Sequence, residues 1–153
     1  MFVEYTQEEE IRLSLDLFVV LSRAYRSLMD HSQRDIALSQ LNTTEFAVLE
    51  LLYHKGPHPL QQIGEKILLA SGSITYVVDK LEQKGYLRRD PCVNDRRITY
   101  ATITEEGRKL MAEIFPRHAE AIRQAAAGLN LEEKKQAIAL LKKLGLEARR
   151  QLK

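Results

Sequence analysis

The chain has 153 residues, 44% of them hydrophobic, so it can bury one core and has the usual length of a single domain. Its 23 basic and 21 acidic residues leave a formal charge of +2, which neither requires nor excludes a polyanionic partner. The single cysteine, Cys92, excludes an internal disulfide framework and a cysteine-rich zinc site.

The N-terminal segment lacks the basic and then apolar pattern of a secretory signal, because Met1 to Tyr5 lead into acids at positions 8–10. The longest apolar run, Leu17 to Leu21, is far shorter than the ~20 residues that cross a bilayer. We therefore expect a cytoplasmic protein with no membrane partner, and a lone cysteine fits that reducing compartment.

A long amphipathic helix is predicted from about Thr6 to Met29. Apolar residues recur there at steps of three and four, which places them on one helix face: Ile11, Leu15, Phe18, Leu21, Tyr25 and Leu28. Leu13, Leu17 and Val20 widen this stripe beyond what one compact domain would cover. A second copy of the chain could bury the rest.

Three shorter helices are predicted in the middle of the chain. The first begins at Asn42 with Glu45 three residues later, which is a capping-box-like pair. The second runs from Leu60 to Leu68. A hydroxyl in Ser71-Gly72-Ser73 can cap the third helix, which continues to Lys84 and ends before a glycine.

After this helix the pattern alternates, which predicts a two-stranded β-hairpin. The first strand begins near Tyr86, and β-branched Thr99 and Thr102 lie in the returning strand. The hairpin and its turn carry four arginines against two aspartates: Arg88, Arg89, Arg96, Arg97, Asp90 and Asp95. A basic wing therefore stands beside the third short helix.

Two further helices complete the chain. Thr104 caps the first, which contains Pro116, and Asn130 with Glu133 repeats the capping-box pattern for the second. The order of elements predicts a mainly α (α+β) fold. We expect a winged helix-turn-helix with a two-stranded wing, flanked by N- and C-terminal dimerisation helices.

The third short helix has two distinct sides. Four apolar residues would pack inward, namely Ile74, Val77, Val78 and Leu81. The outward side presents polar residues and one tyrosine, namely Ser71, Ser73, Thr75, Tyr76, Asp79 and Lys80. Small hydroxyls at a helix N-terminus can approach a phosphate or a base edge closely, and the free N–H groups there attract anions. Together with the basic wing, this favours duplex DNA as the partner.

Residues 68–87, LLASGSITYVVDKLEQKGYL, followed by Asp95-Arg96-Arg97 and by residues 103–107, ITEEG, resemble the core signature of MarR regulators. The resemblance covers nearly the whole chain. It implies a homodimeric, sequence-specific DNA-binding transcriptional regulator, a repressor released from a palindromic operator by a small-molecule or redox signal. The regions implied are 1–40 and 105–153 for dimerisation and 41–104 for DNA binding.

The resemblance also implies roles for individual residues. Asp95 would hold Arg97 so that its guanidinium reaches a minor groove, which reduces the entropy lost on binding. At the position of Tyr76 many members carry a basic residue, which is a departure from the family pattern. The predicted DNA-binding set is Ser71, Ser73, Thr75, Tyr76, Lys80, Arg88, Arg89, Asp95, Arg96 and Arg97.

A signal could reach this protein by two routes. The resemblance implies an effector crevice between the dimer arms and the winged domain, for a phenolic, quinone or other aromatic compound. Residues that could line it, although they are more often core, are Tyr25, Met29, Tyr53, Met111 and Phe115. Cys92 lies in the predicted wing near four arginines that would favour a reactive thiolate, whereas a lone loop cysteine is usually incidental.

Other classes of function find less support. The four histidines lack close metal-ligand spacing, so we expect no metal and no cofactor. The sequence has no nucleophile elbow, phosphate loop or paired-histidine motif, so we do not expect an enzyme. The alternative is a helical protein-interaction module whose winged fold binds a protein partner. Salt-dependent binding to random duplex DNA would discriminate between the two.

Overall fold

The computed structural model describes residues 6–67 and 74–152. Its helices are α1 Gln7–Ala37, α2 Thr43–Lys55, α3 Leu60–Lys66, α4 Ile74–Gln83, α5 Glu105–Ala125 and α6 Leu131–Gln151; its strands are β1 His58–Pro59, β2 Leu87–Pro91 and β3 Thr99–Ile103. The predicted mainly helical winged helix-turn-helix is confirmed. The wing, defined as β2, β3 and the turn between them, has the two predicted strands.

Local capping determines where several helices begin. Thr6 accepts a hydrogen bond from the backbone N–H of Glu9 at 3.2 Å, which starts α1 at the predicted place. At α2, the Asn42 side chain accepts from the backbone N–H of Glu45 at 2.8 Å, and the Glu45 carboxylate accepts from the Asn42 N–H at 3.0 Å. Asn130 and the residue three positions later form the second capping box, at α6. The predicted capping boxes are confirmed.

Two predicted helix ends were misplaced. Helix α1 continues past Met29 to Ala37, because Asp35 and Ile36 are buried against the rest of the chain and hold its last turns. Helix α3 ends at Lys66 rather than at Leu68. Residue 68 itself lies outside the described part of the chain.

The sheet has one strand more than the sequence predicted. Its order is β1–β3–β2 and both pairings are antiparallel. Leu87 pairs with Ile103 at the base of the wing, and His58 of β1 pairs with Ala101 on the other side of β3. The prediction missed β1 because it has two residues and one is Pro59, which reads as the start of a helix.

The core lies between α2, α3, α4, the sheet and the first half of α5. Its largest fully buried side chains are Val48, Leu49, Leu52, Ile63, Val78, Leu81, Leu87 and Met111. At Gly107 the backbone of α5 passes very close to the wing base, where an added Cβ would clash with the Tyr86 carbonyl oxygen. The wing is thereby seated on α5.

The helical arms, defined as the N-terminal part of α1 and all of α6, project from this core. Helix α6 buries none of its residues 131–151 against its own chain. Large apolar side chains are exposed on both helices: Ile11, Leu15, Phe18, Val20, Tyr25, Ile138, Leu140, Leu141 and Leu144. Within the described ranges, no helix is both long and apolar enough to cross a membrane.

Candidate nucleic-acid interface

Helix α4 shows the two sides that its sequence predicts. Val77, Val78 and Leu81 are buried in the core. Thr75 and Tyr76 are exposed on the other side. The Lys80 ammonium lies 5.5 Å from the centre of the Tyr76 ring, which places a cation beside the exposed surface of the helix. Ser71 and Ser73 lie outside the described residues, so their groove contacts stay a prediction.

Arg97 and Asp95 form the ion pair that the family resemblance implies. The Arg97 Nε and Nη2 donate to Asp95 Oδ1 and Oδ2 at 3.1 and 3.0 Å, and the Arg97 backbone N–H donates to Oδ1 at 3.0 Å. This side-chain hydrogen bond, with the backbone one, lowers the pKa of Asp95 below its usual range. Yet the Arg97 side chain remains 90% exposed. Asp95 therefore binds one edge of the Arg97 guanidinium and leaves the side chain open to solvent, next to the exposed Arg96.

The other two wing arginines are bound to carboxylates of their own chain. Arg88 Nε lies 3.1 and 3.2 Å from the two Asp90 carboxylate oxygens. Arg89 reaches across to α4, where Nη2 donates to Asp79 and Nη1 to Glu82. Counting charges within the hairpin missed Asp79 and Glu82, because they belong to a different element.

A further ion pair fixes the far end of α4. Lys84 Nζ lies 2.9 and 3.0 Å from the carboxylate oxygens of Glu45, whose side chain is buried. Glu45 thus caps α2 and also holds the turn that follows α4. The sequence indicated only the first of these roles, because the two residues are far apart in the chain.

The sequence that forms this surface matches a known protein family. The model of the MarR family matches residues 41–99, which include α4 and β2. The HTH-type transcriptional regulator MhqR of Bacillus subtilis (strain 168) is 60% identical over 136 residues, which are 89% of this chain and 94% of MhqR. The chain belongs to the MarR family.

Solved structures share the fold of this MarR chain. Sco3205, a MarR family transcriptional regulator from Streptomyces coelicolor solved in complex with DNA, has a TM-score of 0.76 at 21% identity, over 96% of this chain and 91% of its own. BpsR of Bordetella bronchiseptica, whose DNA binding is regulated by 6-hydroxynicotinic acid, has a TM-score of 0.73 at 29% identity, over 85% and 98%. The fold is therefore that of solved MarR regulators, and membership of the family makes the chain a DNA-binding transcriptional regulator.

In this MarR regulator, a polar cluster joins the C-terminal end of α1 to α5. Asp35 Oδ1 of α1 accepts from Arg117 Nε at 2.8 Å, and Asp35 Oδ2 lies 3.1 Å from His118 Nδ1 of α5. Asp35 and His118 are both buried. The His118 ring centre lies 4.5 Å from that of Phe46 in α2. The sequence did not indicate this cluster, because its members lie on separate helices.

The five predicted effector residues fall in two places. Tyr25 and Met29 line an open groove of about 590 Å³ between α1 and the start of α2. The other lining residues are Ser22, Arg26, Asp30, Gln33, Thr43 and Thr44. Met111 is completely buried. It is therefore a core residue, which was the alternative interpretation given for the five residues. Tyr53 and Phe115 are partly buried, with ring centres 6.5 Å apart, and pack against that core.

Cys92 directly follows β2 in the wing. Its side chain is partly exposed, and its backbone N–H donates to the Ile98 carbonyl at 2.9 Å, which closes the wing turn. Val93, the next residue, is fully in solvent. A reagent in solution can therefore reach this turn.

Proposed function

We propose that this MarR regulator binds a pseudo-palindromic operator as a homodimer and represses a promoter until a signal releases it. The main support for this proposal is that two exposed features lie on the same winged domain. They are the outward side of α4 and the solvent-exposed guanidinium of Arg97 in the wing. In this arrangement α4 enters a major groove while Arg97 enters the adjacent minor groove.

Dimerisation is supported by the arms. Helix α6 has no buried residue in its own chain, and Phe18 of α1 is 70% exposed. Exposed apolar surface on this scale is costly in water and is typical of protein interfaces. A second copy fits best, because both helices then cover equivalent faces, as a two-fold axis requires.

Joining two DNA-binding modules also raises the affinity for DNA. One winged helix with few free cations binds weakly, whereas two modules held at a fixed spacing read successive major grooves and combine their binding energies. An operator with two-fold symmetry follows from this geometry. Occlusion of an overlapping promoter is then the simplest route to repression.

Arg97→Ala is expected to weaken operator binding by about 1–3 kcal/mol, roughly 5- to 150-fold, without unfolding the protein. The reason is the loss of one pre-positioned guanidinium that makes no contact with the core. The measurement is the dissociation constant for an operator selected from a random pool, taken across a salt series. Arg88→Ala, which removes the same charge from the same wing, is the matched control and should cost less. Equal affinity of Arg97→Ala and the unmodified protein at every salt concentration would contradict the assignment.

For the signal, we infer that a small phenolic, quinone or other aromatic compound binds in the groove beside Tyr25 and Met29. The groove offers a ring, a thioether and the oppositely charged side chains of Arg26 and Asp30 along one helix, which suits a planar molecule with polar substituents. The groove lies between α1 and the start of α2, so an occupant would change the angle between these two helices. A change in the spacing of the two α4 helices would then release the operator.

Cys92 is the alternative sensor of the signal, because its thiol can be oxidised or can react with an electrophile. We expect Cys92→Ser to retain release by phenols and quinones, because the groove lies on α1 and α2 and not in the wing. The measurement is operator release by each compound from the variant and from Tyr25→Ala, which should lose its response. Loss of the quinone response in Cys92→Ser would place the sensor at the thiol instead.

A further inference from the structure

Arg89 connects the wing to α4 through three hydrogen bonds. It lies in β2 opposite Ala101 of β3. Its two terminal nitrogens donate separately, one to Asp79 and one to Glu82, and its backbone N–H donates to Glu82 Oε1 at 3.3 Å. Asp79 and Glu82 are three positions apart on α4 and so share one helix face. We call these three residues the Arg89 clamp.

We propose that Arg89 is a positioning residue that fixes the angle between the wing and α4, and that it makes no contact with DNA itself. The proposal rests on the DNA-binding function proposed above. It changes the expectation drawn from the sequence, where Arg89 belonged to the contact set. The clamp would let major-groove and minor-groove contacts form together, because α4 and the wing then approach the duplex at a fixed angle to each other.

Exposure distinguishes Arg89 from Arg97, the wing arginine proposed to enter a minor groove. The Arg89 side chain is 26% exposed, whereas that of Arg97 is 90% exposed. Neighbouring residues of a strand point to opposite faces, so Arg88 turns away from α4 and pairs with Asp90. Hydrogen bonding to Asp79 raises the pKa of Arg89 above its usual value. The Arg89 guanidinium is charged at physiological pH, as arginine side chains are in proteins generally.

The clamp also removes an electrostatic obstacle. Asp79 and Glu82 are partly exposed carboxylates on the helix that faces the duplex, where they would repel phosphates. One planar guanidinium satisfies both, which a lysine ammonium cannot do with the same fixed fork geometry. Arg89→Lys therefore keeps the charge and loses the geometry, which makes it the informative variant.

The first experiment measures the wing without DNA. Spin labels are placed at Val93→Cys in the wing and Gln83→Cys at the end of α4, in a Cys92→Ser background, and mixed with excess unlabelled chain so that each labelled pair lies within one protomer. We expect a narrow distance distribution with Arg89 present and a broad one in both Arg89→Ala and Arg89→Lys. An unchanged distribution in both variants overturns the clamp, whatever the protein does with DNA.

The second experiment measures operator affinity against salt for folded variants. We expect Arg89→Ala, Arg89→Lys and the double variant Asp79→Asn with Glu82→Gln each to weaken binding by about tenfold, with the salt slope unchanged. The triple combination with Arg89→Ala should be no weaker than Arg89→Ala alone, because all three changes remove one interaction.

Two results of the affinity measurements would overturn the proposal. Removing two acids from a DNA-facing helix would tighten binding if they acted only by charge, and that result would overturn the proposal. A salt slope reduced by about one in Arg89→Ala would identify a phosphate contact and overturn it as well. If the unmodified protein shows no preference for any duplex but the label distances still broaden on substitution, the DNA-binding proposal fails. The conclusion that Arg89 fixes the angle between the wing and α4 then still holds.

Discussion

Replacing Leu141 and Leu144 of α6 by lysine is expected to make the protein monomeric and to lower its operator affinity by at least about 100-fold. The two leucines are 44% and 40% exposed in the isolated chain and lie three positions apart on one face of α6. Two lysines there would put unpaired charges into an apolar interface, and the resulting single modules could engage only one groove each.

The matched control makes the same change in net charge in a polar part of the same helix. Glu132→Gln with Gln136→Lys changes exposed residues and leaves every leucine in place. Sedimentation velocity and operator binding are measured for both double variants. The control should remain dimeric with nearly unchanged affinity, and a dimeric, tightly binding leucine variant would exclude α6 from the interface.

Asp35→Ala is expected to reduce the free energy of unfolding by about 3 kcal/mol. The substitution removes the carboxylate that bonds to both Arg117 and His118 and leaves the buried His118 ring nitrogen without that partner. The expected loss lies at the low end for a broken buried pair, because the Arg117 side chain is half-exposed and can regain water.

Asp30→Ala is the natural comparison for this change, since it removes the same residue type from an exposed position on the same helix. It should cost less than about 0.5 kcal/mol. Urea unfolding at one fixed protein concentration provides the measurement, because a dimer's stability depends on concentration. Similar losses for the two variants would show that the Asp35 cluster does not hold α1 to α5.

Local signals predicted the helix starts well. Thr6, Asn42, Thr104 and Asn130 each cap a helix through a hydrogen bond between residues three positions apart, so the sequence alone carries the information. The apolar excess on α1 also predicted a surface that its own chain leaves uncovered, and Leu13, Leu17 and Val20 are indeed exposed.

Interactions between distant residues could not be predicted in the same way. The pairs Glu45 with Lys84 and Asp35 with Arg117 join elements whose packing angle no periodicity reveals. The same reason explains why Arg89 was grouped with Arg97: the sequence gives their charge and spacing, whereas only the fold shows that acids of α4 already hold Arg89.

The most direct test compares a selected palindromic duplex with the same duplex in which one half-site is scrambled, recording affinity, salt dependence and the number of chains bound. We expect two chains per palindrome, affinity that falls steeply with salt, and a loss of at least about 100-fold on scrambling. One chain bound per duplex, with equal affinity for both duplexes, would contradict binding as a dimer to two half-sites.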